Sequence, residues 1–382
     1  MRVLYVAPRY HTNQVPIMRG WLKNGHEVMF ISQIVSEGED HRDLEPVCLG
    51  YSGIFNLFFG IRNRLRHCED PDEKFWISSK KGFPPYHRLK GLIKNFKPDV
   101  AILRERSLYN IVVYHLCKRW NIPCILYNQS PVWEKKRESN PWLRRLVRKL
   151  SPQYRMTVTE GVPEPDMVRD PHTYWVSFVM EPHVFKEPKV YCKDGIVHFL
   201  CVARFVEWKN HMLLLSVYKN LFKTYPVHLT IVGEAVSDIQ KAFYAKVVKY
   251  IQDNHMENSV TLIRNANRDQ VFEQYEKADV FLLPSKEPIS VSQLEAMSFS
   301  LPVICSDLPG KATYVKNNLN GFLVEVNNAD DLQDKMEKMI QNRERMREMG
   351  EKSLELVMKN ASFQNYYTHI QQIMKDMKEE KR

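Results

Sequence analysis

Short, continuously apolar runs alternate along the chain with longer segments in which apolar residues recur at helical spacing. In the first part of the chain the runs are VLYVAP (3–8), EVMFIS (27–32), DVAILRE (99–105) and CILYNQ (124–129), with helical segments at 15–25 and 108–120. Runs of this length are typical of strands buried on both faces, and strands that alternate with helices form parallel sheets. The pattern therefore predicts an α/β domain.

The same alternation restarts after about residue 190 and predicts a second domain. Its apolar runs are VHFLCVAR (197–204), HLTIVGE (228–234), VTLIRN (260–265), DVFLLPS (279–285) and PVICSD (302–307). Between the two series lies segment 161–190, in which five prolines interrupt regular structure. Because 382 residues exceed the usual size of one core, we predict two Rossmann-like domains, residues 1–180 and 181–382.

The composition is that of an ordinary globular protein, with 44% hydrophobic and 26% charged residues. No run reaches the roughly 18 apolar residues of a membrane span, and the first apolar run is too short for a signal peptide. The seven cysteines are scattered, without a CxxC pair, as expected for reduced thiols. These features predict a cytoplasmic protein.

The formal net charge of +10 suits an anionic partner, which can be a nucleic acid, a phosphorylated ligand or a lipid surface. Segment 134–149 has seven Lys or Arg residues, and its apolar and basic residues fall on opposite sides of a helix. The apolar set is Trp142, Leu143, Leu146, Val147 and Leu150, and the basic set is Arg144, Arg145, Arg148 and Lys149. Such a helix either contacts an anionic membrane or faces the core, and segment 54–66 allows the same two interpretations.

Ligands of open parallel sheets lie beyond the carboxyl ends of the strands, so we examined the residues that follow each predicted strand. Arg204 and Lys209 follow the first strand of the second series and can hold a diphosphate, or can be a solvated pair near a helix start. Glu287 follows DVFLLPS, and Glu295 comes eight positions later in a predicted helix. Ser290 and Ser292 are candidate caps of that helix, whose free amides favour a phosphate.

Two glycine-containing turns follow other strands of the second series. Gly233 and Glu234 end HLTIVGE, where the glycine either lets a nucleotide approach the backbone or forms a plain turn. Pro309 and Gly310 follow PVICSD and either shape a pocket floor or form a tight turn.

The order ARFVEWK, IVGE, ADVFLLPSKE, LEAMS, LPVICSD and NGFLVEV resembles the nucleotide-binding half of family 4 glycosyltransferases. The resemblance covers about residues 197–370 well and extends more weakly to the first half, through the opening strand and GHEV at 25–28. It implies the GT-B fold, with two Rossmann-like domains facing across a cleft. The acceptor would bind the first domain and the nucleotide sugar the second, and the last helix, about 362–382, would return to the first domain.

The resemblance also implies roles for the residues named above. The donor sugar would contact Glu287, the ribose would contact Glu295, and the diphosphate would bind Arg204 and Lys209. The other implied donor-binding residues are Ile289, Ser290, Val291, Gly233 and Glu234. The expected reaction is metal-independent, retaining transfer of a hexose-type sugar from a UDP- or GDP-sugar to a glycan, glycolipid or other acceptor, without a cofactor.

Acceptor-side candidates follow the strands of the first series: His11, Asn13, Arg104 and Gln129. His11 can equally be a loop histidine whose hydrogen bonds are satisfied by its neighbours. The Asp70-Pro71-Asp72 sequence lacks a preceding apolar strand, so we predict no metal site there.

The sequence also bears on three other functional classes. The first strand is not followed by G-x-G-x-x-G, which disfavours a dinucleotide oxidoreductase. A sugar-nucleotide epimerase of GT-B architecture and a noncatalytic basic protein that binds nucleic acid or anionic glycans remain alternatives. The glycosyltransferase hypothesis expects no nucleic-acid partner.

Overall fold

The structure is a computed structural model of the 382-residue chain. It describes all residues except 36–38, 66–70, 136–141, 143–145, 147–148, 162–164, 166, 288–289, 309 and 381–382. The chain forms two compact units: unit 1 consists of Met1–Val179 and Phe363–Arg382, and unit 2 consists of Met180–Ser362.

Unit 1 is built on a parallel sheet with strand order β3-β2-β1-β4-β5-β7-β9. A short antiparallel pair, β6 with β8, lies outside this sheet. The strands are β1 (Arg2–Ala7), β2 (Glu27–Ser32), β3 (Val47–Cys48), β4 (Val100–Arg104), β5 (Cys124–Asn128), β6 (Trp133–Lys135), β7 (Arg155–Thr157), β8 (Met167–Arg169) and β9 (Thr173–Trp175). The central strands are almost completely buried, as their continuous apolar sequences predict.

The helices of unit 1 that precede the second unit begin and end at recognisable signals. They are α1 (Val15–Lys23), α2 (Gly53–Leu65), α3 (Pro71–Lys81), α4 (Tyr86–Phe96) and α5 (Leu108–Arg119). Pro16 lies in the first turn of α1, where its missing N–H is not needed. Ser107 caps α5 by accepting a 3.1 Å hydrogen bond from the Asn110 backbone N–H.

Unit 2 has a parallel sheet with strand order β12-β11-β10-β13-β14-β15. Its strands are β10 (Val197–Val202), β11 (Val227–Gly233), β12 (Val260–Arg264), β13 (Val280–Leu283), β14 (Val303–Ser306) and β15 (Gly321–Val324). The order runs outward from β10 in one direction and then from β13 in the other, which is the doubly wound Rossmann arrangement. The prediction of two Rossmann-like domains is therefore confirmed.

The helices of unit 2 connect and follow the strands of its sheet. They are α6 (His211–Leu221), α7 (Asp238–Asp253), α8 (Arg268–Lys277), α9 (Val291–Ser298), α10 (Ala329–Gln341) and α11 (Met346–Ala361). Reciprocal capping boxes start α7 at Ser237 with Gln240, and α8 at Asn267 with Gln270. These boxes fix where each helix leaves the preceding strand.

The last helix, α12 (Phe363–Glu379), packs on unit 1. Its Tyr366 hydroxyl lies 2.6 Å from the Tyr5 hydroxyl of β1, which also accepts a 2.8 Å hydrogen bond from the Trp21 indole. Position 20 of α1 must be a glycine where α12 packs on it, because an added Cβ would lie 2.1 Å from the Phe363 ring. The core of unit 1 thus includes residues from both ends of the sequence.

Candidate active site

The sheet of unit 2 reverses its order between β10 and β13, and such a switch point opens a crevice at the carboxyl ends of the strands. Arg204 follows the end of β10, and a 3-10 turn at Glu207–Lys209 comes directly after it. Glu287 follows the end of β13. The topology therefore brings the candidate cations and the candidate carboxylate to the same place.

Lys209 and Glu287 form an ion pair at this switch point. The Lys209 Nζ contacts Glu287 Oε2, and the Trp208 indole donates a 2.8 Å hydrogen bond to Glu287 Oε1. The Lys209 side chain is 7% exposed and that of Glu287 is 31% exposed, so solvent screens this pair incompletely. A backbone hydrogen bond from Lys286 N–H to the Trp208 carbonyl oxygen, 2.9 Å long, holds the two segments together.

The surroundings of Glu287 keep it ionised. Burial by itself raises the pKa of Glu287, but the charge and hydrogen bond of Lys209, the Trp208 donor and the charge of Arg204 together bring this pKa below its usual value. Arg204 is exposed at the end of β10 and available to a ligand from solvent. The cluster thus combines two cations and one carboxylate at neutral pH.

A third cation, Lys311, lies beneath this pair and was not predicted from the sequence. Lys311 is fully buried and donates to the backbone oxygens of Leu283 and Ser285, at 3.4 and 3.0 Å, and to the Ser285 hydroxyl at 2.9 Å. Burial lowers the pKa of Lys311 to about 8, with a contribution from the charge of Lys209, against the opposing effects of Cys305 and Glu287. The only sequence signal was a lysine after the Pro309-Gly310 turn.

Glu295 lies on α9, buried and paired. Its Oε1 forms an ion pair with Arg268 Nη2 at 2.7 Å, and its Oε2 lies 3.1 Å from the Tyr275 hydroxyl. Ser290 occupies the N-cap position of α9, as predicted, but its hydroxyl lies 2.9 Å from that of Ser292 and makes no capping bond to the helix. Val291 is the first helical residue, while the predicted donor residue Ile289 lies outside the described residues.

Close packing explains why position 233 is a glycine, and the sequence alone did not indicate this. A Cβ at this position would lie 2.2 Å from the Ala203 carbonyl oxygen and 2.9 Å from the Phe205 ring. The end of β11 therefore packs too closely on the segment after β10 to admit a side chain. Glu234 is exposed, and its carbonyl oxygen accepts a 3.0 Å hydrogen bond from the Phe205 N–H.

The acceptor-side candidates of unit 1 follow β1, β4 and β5. His11 caps a 3-10 turn (Thr12–Gln14), and its backbone N–H donates a 3.0 Å hydrogen bond to Gln14. Asn13 is buried and lines a cavity of about 10 Å³. That volume holds about one water molecule and is too small for a sugar.

Arg104 and Gln129 meet at Tyr127. The Arg104 guanidinium carbon lies 5.9 Å from the centre of the Tyr127 ring, and Gln129 hydrogen-bonds the Tyr127 hydroxyl. Burial raises the pKa of Tyr127 to about 12, an effect that the Arg104 charge and the Gln129 hydrogen bond reduce. Tyr127 therefore contacts both candidates, and it was not among the residues predicted from the sequence.

Several sequence predictions fall on residues outside the described part of the chain: Asp70, Arg144, Arg145 and Arg148. Trp142 and Leu146, which the structure describes, are exposed, so these two side chains are not buried in a core. Within the described residues, no group of three or more His, Cys, Asp or Glu side chains is arranged to hold a metal ion. No helix in the same residues has the length and apolarity needed to cross a membrane.

Comparison with known proteins finds a match for the part of unit 2 that contains the switch-point cluster. Residues 188–355 match the family model for glycosyl transferases group 1. This part of unit 2 is therefore similar to glycosyl transferases group 1. Arg204, Lys209, Glu287 and Glu295 all lie within the match.

Curated relatives are similar to this chain over part of its length. An uncharacterized glycosyltransferase of Haemophilus influenzae is 33% identical over 159 residues, which are 40% of this chain and 42% of the relative. The chain spans less than half the length of the curated relatives that it matches. The similarity to these relatives is thus confined to part of each protein.

Two solved structures resemble this fold over the whole chain. A Rickettsia africae glycosyltransferase has a TM-score of 0.69 at 16% identity, with 98% of each chain covered. An Anabaena protein solved with UDP-glucose has a TM-score of 0.70 at 12% identity, with 99% of this chain and 100% of that chain covered. They confirm the GT-B type of architecture.

Proposed function

We propose that this protein is a family 4, retaining, metal-independent glycosyltransferase that moves a hexose-type sugar from a UDP- or GDP-sugar to a glycan or glycolipid acceptor. The observation that carries the proposal is the Arg204, Lys209 and Glu287 cluster at the switch point of a unit whose sequence matches glycosyl transferases group 1. UDP is the first nucleotide to test, because the similar Anabaena structure holds UDP-glucose. No cofactor beyond the sugar nucleotide is proposed.

The charges of the cluster suit the chemistry of the leaving group. When the bond between the anomeric carbon and the diphosphate oxygen breaks, the diphosphate gains negative charge. Arg204, Lys209 and the amides at the start of α9 supply fixed positive potential, which is a role that a metal ion plays in other enzymes. The acceptor oxygen attacks the face that the diphosphate leaves, and its proton passes to a diphosphate oxygen.

In this proposal the two glutamates have separate roles. Glu287 orients the hydroxyls of the donor sugar, and Glu295 binds the ribose. In the absence of donor, Lys209 pairs with the Glu287 carboxylate and Trp208 donates a hydrogen bond to it. An incoming diphosphate therefore competes with Glu287 for Lys209. Donor binding thus exchanges one anionic partner of Lys209 for another.

The proposal is tested by incubating the protein with UDP- and GDP-sugars and candidate acceptors, with and without chelator, and by determining the product anomer by NMR. We expect a product with the donor's anomeric configuration and no effect of the chelator. An inverted anomer or loss of activity on chelation would contradict the corresponding part. An epimerised donor formed without acceptor indicates an epimerase, and salt-sensitive polyanion binding without turnover indicates a noncatalytic binder.

We also propose that unit 1 contacts anionic membranes, where a glycolipid acceptor would be found. Four apolar side chains of α2 recur at helical spacing and are exposed by 47–74%: Ile54, Leu57, Phe58 and Ile61, here called the α2 stripe. Segment 54–66 carries three arginines and no acidic residue, so its charge suits an anionic lipid surface.

A further inference from the structure

Glu295 is a carboxylate in the middle of a short helix and is nevertheless buried, with 7% of the residue exposed. Charged side chains are rarely buried unless they are paired. Here each carboxylate oxygen has its own donor, Arg268 Nη2 at 2.7 Å from Oε1 and the Tyr275 hydroxyl at 3.1 Å from Oε2. Neither donor lies on the helix that carries Glu295.

Both donors lie on α8, seven residues apart, which places them two turns apart on the same face of that helix. Arg268 is the first residue of α8, and its guanidinium carbon lies 4.3 Å from the centre of the Phe272 ring one turn later. The capping box of α8 fixes the backbone at this point through two 2.9 Å hydrogen bonds between Asn267 and Gln270. Arg268 is therefore held by its backbone and by its guanidinium.

Tyr275 is fully buried, and its hydroxyl lies 3.1 Å from the Ser292 carbonyl oxygen as well as 3.1 Å from Glu295 Oε2. Its single O–H proton is shared between these two acceptors, so Tyr275 links α8 both to the first turn of α9 and to the carboxylate. Two donors at opposite oxygens fix the rotation of the Glu295 carboxylate about its terminal bond. Each oxygen has a second lone pair, so the carboxylate can still accept a hydrogen bond from a ligand.

We infer that Arg268 and Tyr275 are positioning residues that hold the Glu295 carboxylate in the orientation that meets the ribose hydroxyls of the donor nucleotide. The inference rests on the proposed function, in which Glu295 binds the ribose. A carboxylate that is already oriented loses no rotational freedom when the ribose arrives, so its hydrogen bonds contribute more fully to affinity. The arrangement determines preference for a ribose with both hydroxyls.

The test compares affinities for UDP with those for 2′-deoxy-UDP and 3′-deoxy-UDP by calorimetry, with GDP and its analogues used if GDP binds better. We expect the wild-type protein to lose about tenfold or more in affinity when the hydroxyl that contacts Glu295 is removed, as for a hydrogen bond to a charged group. R268M should lower the affinity for UDP by about tenfold. In this variant UDP and the deoxy analogue should bind with nearly equal affinity. R268K, which keeps the charge, should restore part of the discrimination.

Y275F, which removes the hydroxyl and keeps the ring, should lower the discrimination by a few fold. K277M is the matched control, because Lys277 is an exposed cation of the same helix that pairs at 3.7 Å with Glu273. This variant should keep the wild-type discrimination. If R268M does not fold, R268K and Y275F carry the same test, and thermal unfolding establishes which variants are folded.

The outcomes separate this inference from the function on which it rests. If E295Q loses the discrimination while the folded Arg268 and Tyr275 variants keep it, the positioning role is wrong and the ribose assignment stands. An equal loss of affinity for UDP and its deoxy analogues in R268M also overturns the inference, because it indicates a general effect of charge or packing. If wild-type protein binds neither nucleotide, or E295Q keeps full discrimination, the ribose assignment itself fails.

Discussion

The two units repeat one strand order around their switch points, but their polar side chains are organised differently. In unit 2, ion pairs join residues of separate elements, Lys209 with Glu287 and Arg268 with Glu295. In unit 1, His11 bonds to residues of its own turn, and Arg104 lies over the aromatic ring of Tyr127 on the neighbouring strand. The candidate site residues of unit 2 are thus held by ion pairs between separate elements, whereas the candidates of unit 1 contact their own turn or the adjacent strand.

This difference teaches how one architecture can serve two kinds of ligand. Charges that are fixed by distant elements need no reorganisation when an anionic ligand of constant shape, such as a diphosphate, binds. Under the proposed function, polar groups held within one turn or by an adjacent strand impose fewer constraints on the shape of the acceptor. If the proposed function is correct, substitutions in the unit 2 pairs should have larger effects than substitutions in unit 1.

The largest expected effect is on turnover in E287Q. We expect kcat to fall by about 10²–10³-fold, because Glu287 orients the reacting sugar, while UDP affinity stays the same or rises because Lys209 is released. Steady-state kinetics and calorimetry measure the two effects separately. E207Q, which changes an exposed carboxylate of the neighbouring turn, is the control, and a fully active E287Q enzyme would remove Glu287 from the mechanism.

The next effect concerns the two cations of the cluster. R204A and K209A should each weaken UDP binding by about 10- to 150-fold, which corresponds to about 1.5–3 kcal/mol for a charge-assisted contact. K209A should have the larger effect because Lys209 is buried and Arg204 is exposed. K241A changes an exposed lysine and is the control, which should leave the affinity unchanged. If calorimetry shows unchanged affinity in R204A and K209A as well, the diphosphate assignment is contradicted.

A third prediction concerns Lys311, the deepest cation of the unit 2 cluster. Its pKa is about 8 in the folded protein and about 10.5 when unfolded, so between these values the unfolded state binds more protons. The free energy of unfolding should therefore rise with pH from about 8 to about 10.5, by at most about 1.4 kcal/mol per pH unit relative to K311M. Urea unfolding at pH 7.5, 9 and 10 measures this, with K286M at an exposed lysine as control.

The smallest expected effect lies in unit 1, at the α2 stripe. L57A should weaken binding to anionic vesicles about fivefold, because burial of the lost methyl groups contributes about 1 kcal/mol. Vesicle sedimentation at low and high salt measures the binding. L108A changes an exposed leucine on α5 and should bind as wild type does, whereas equal losses in both variants would mean that the α2 stripe is not the contact.

The sequence predicted the features that depend on local patterns. Continuous apolar runs located the strands, and the rule on strand ends brought Lys209 and Glu287 to one switch point. Arg268 was missed because its partner Glu295 is 27 residues away on another helix, and no spacing rule links them. For Gly233 the sequence left a nucleotide contact and a plain turn open, whereas the structure shows that a side chain there would collide with the Ala203 carbonyl oxygen of a neighbouring segment.

The return of α12 to unit 1 has a consequence for synthesis on the ribosome. Residues Met1–Val179 emerge first, but the helix that covers Gly20 and meets the Tyr5 hydroxyl begins at Phe363. At about 5–20 residues per second, the nascent first unit waits roughly 10–40 s for its last helix. During that interval the surface beneath α12 is exposed to chaperones, and a late premature stop codon damages the part of the protein that was made first.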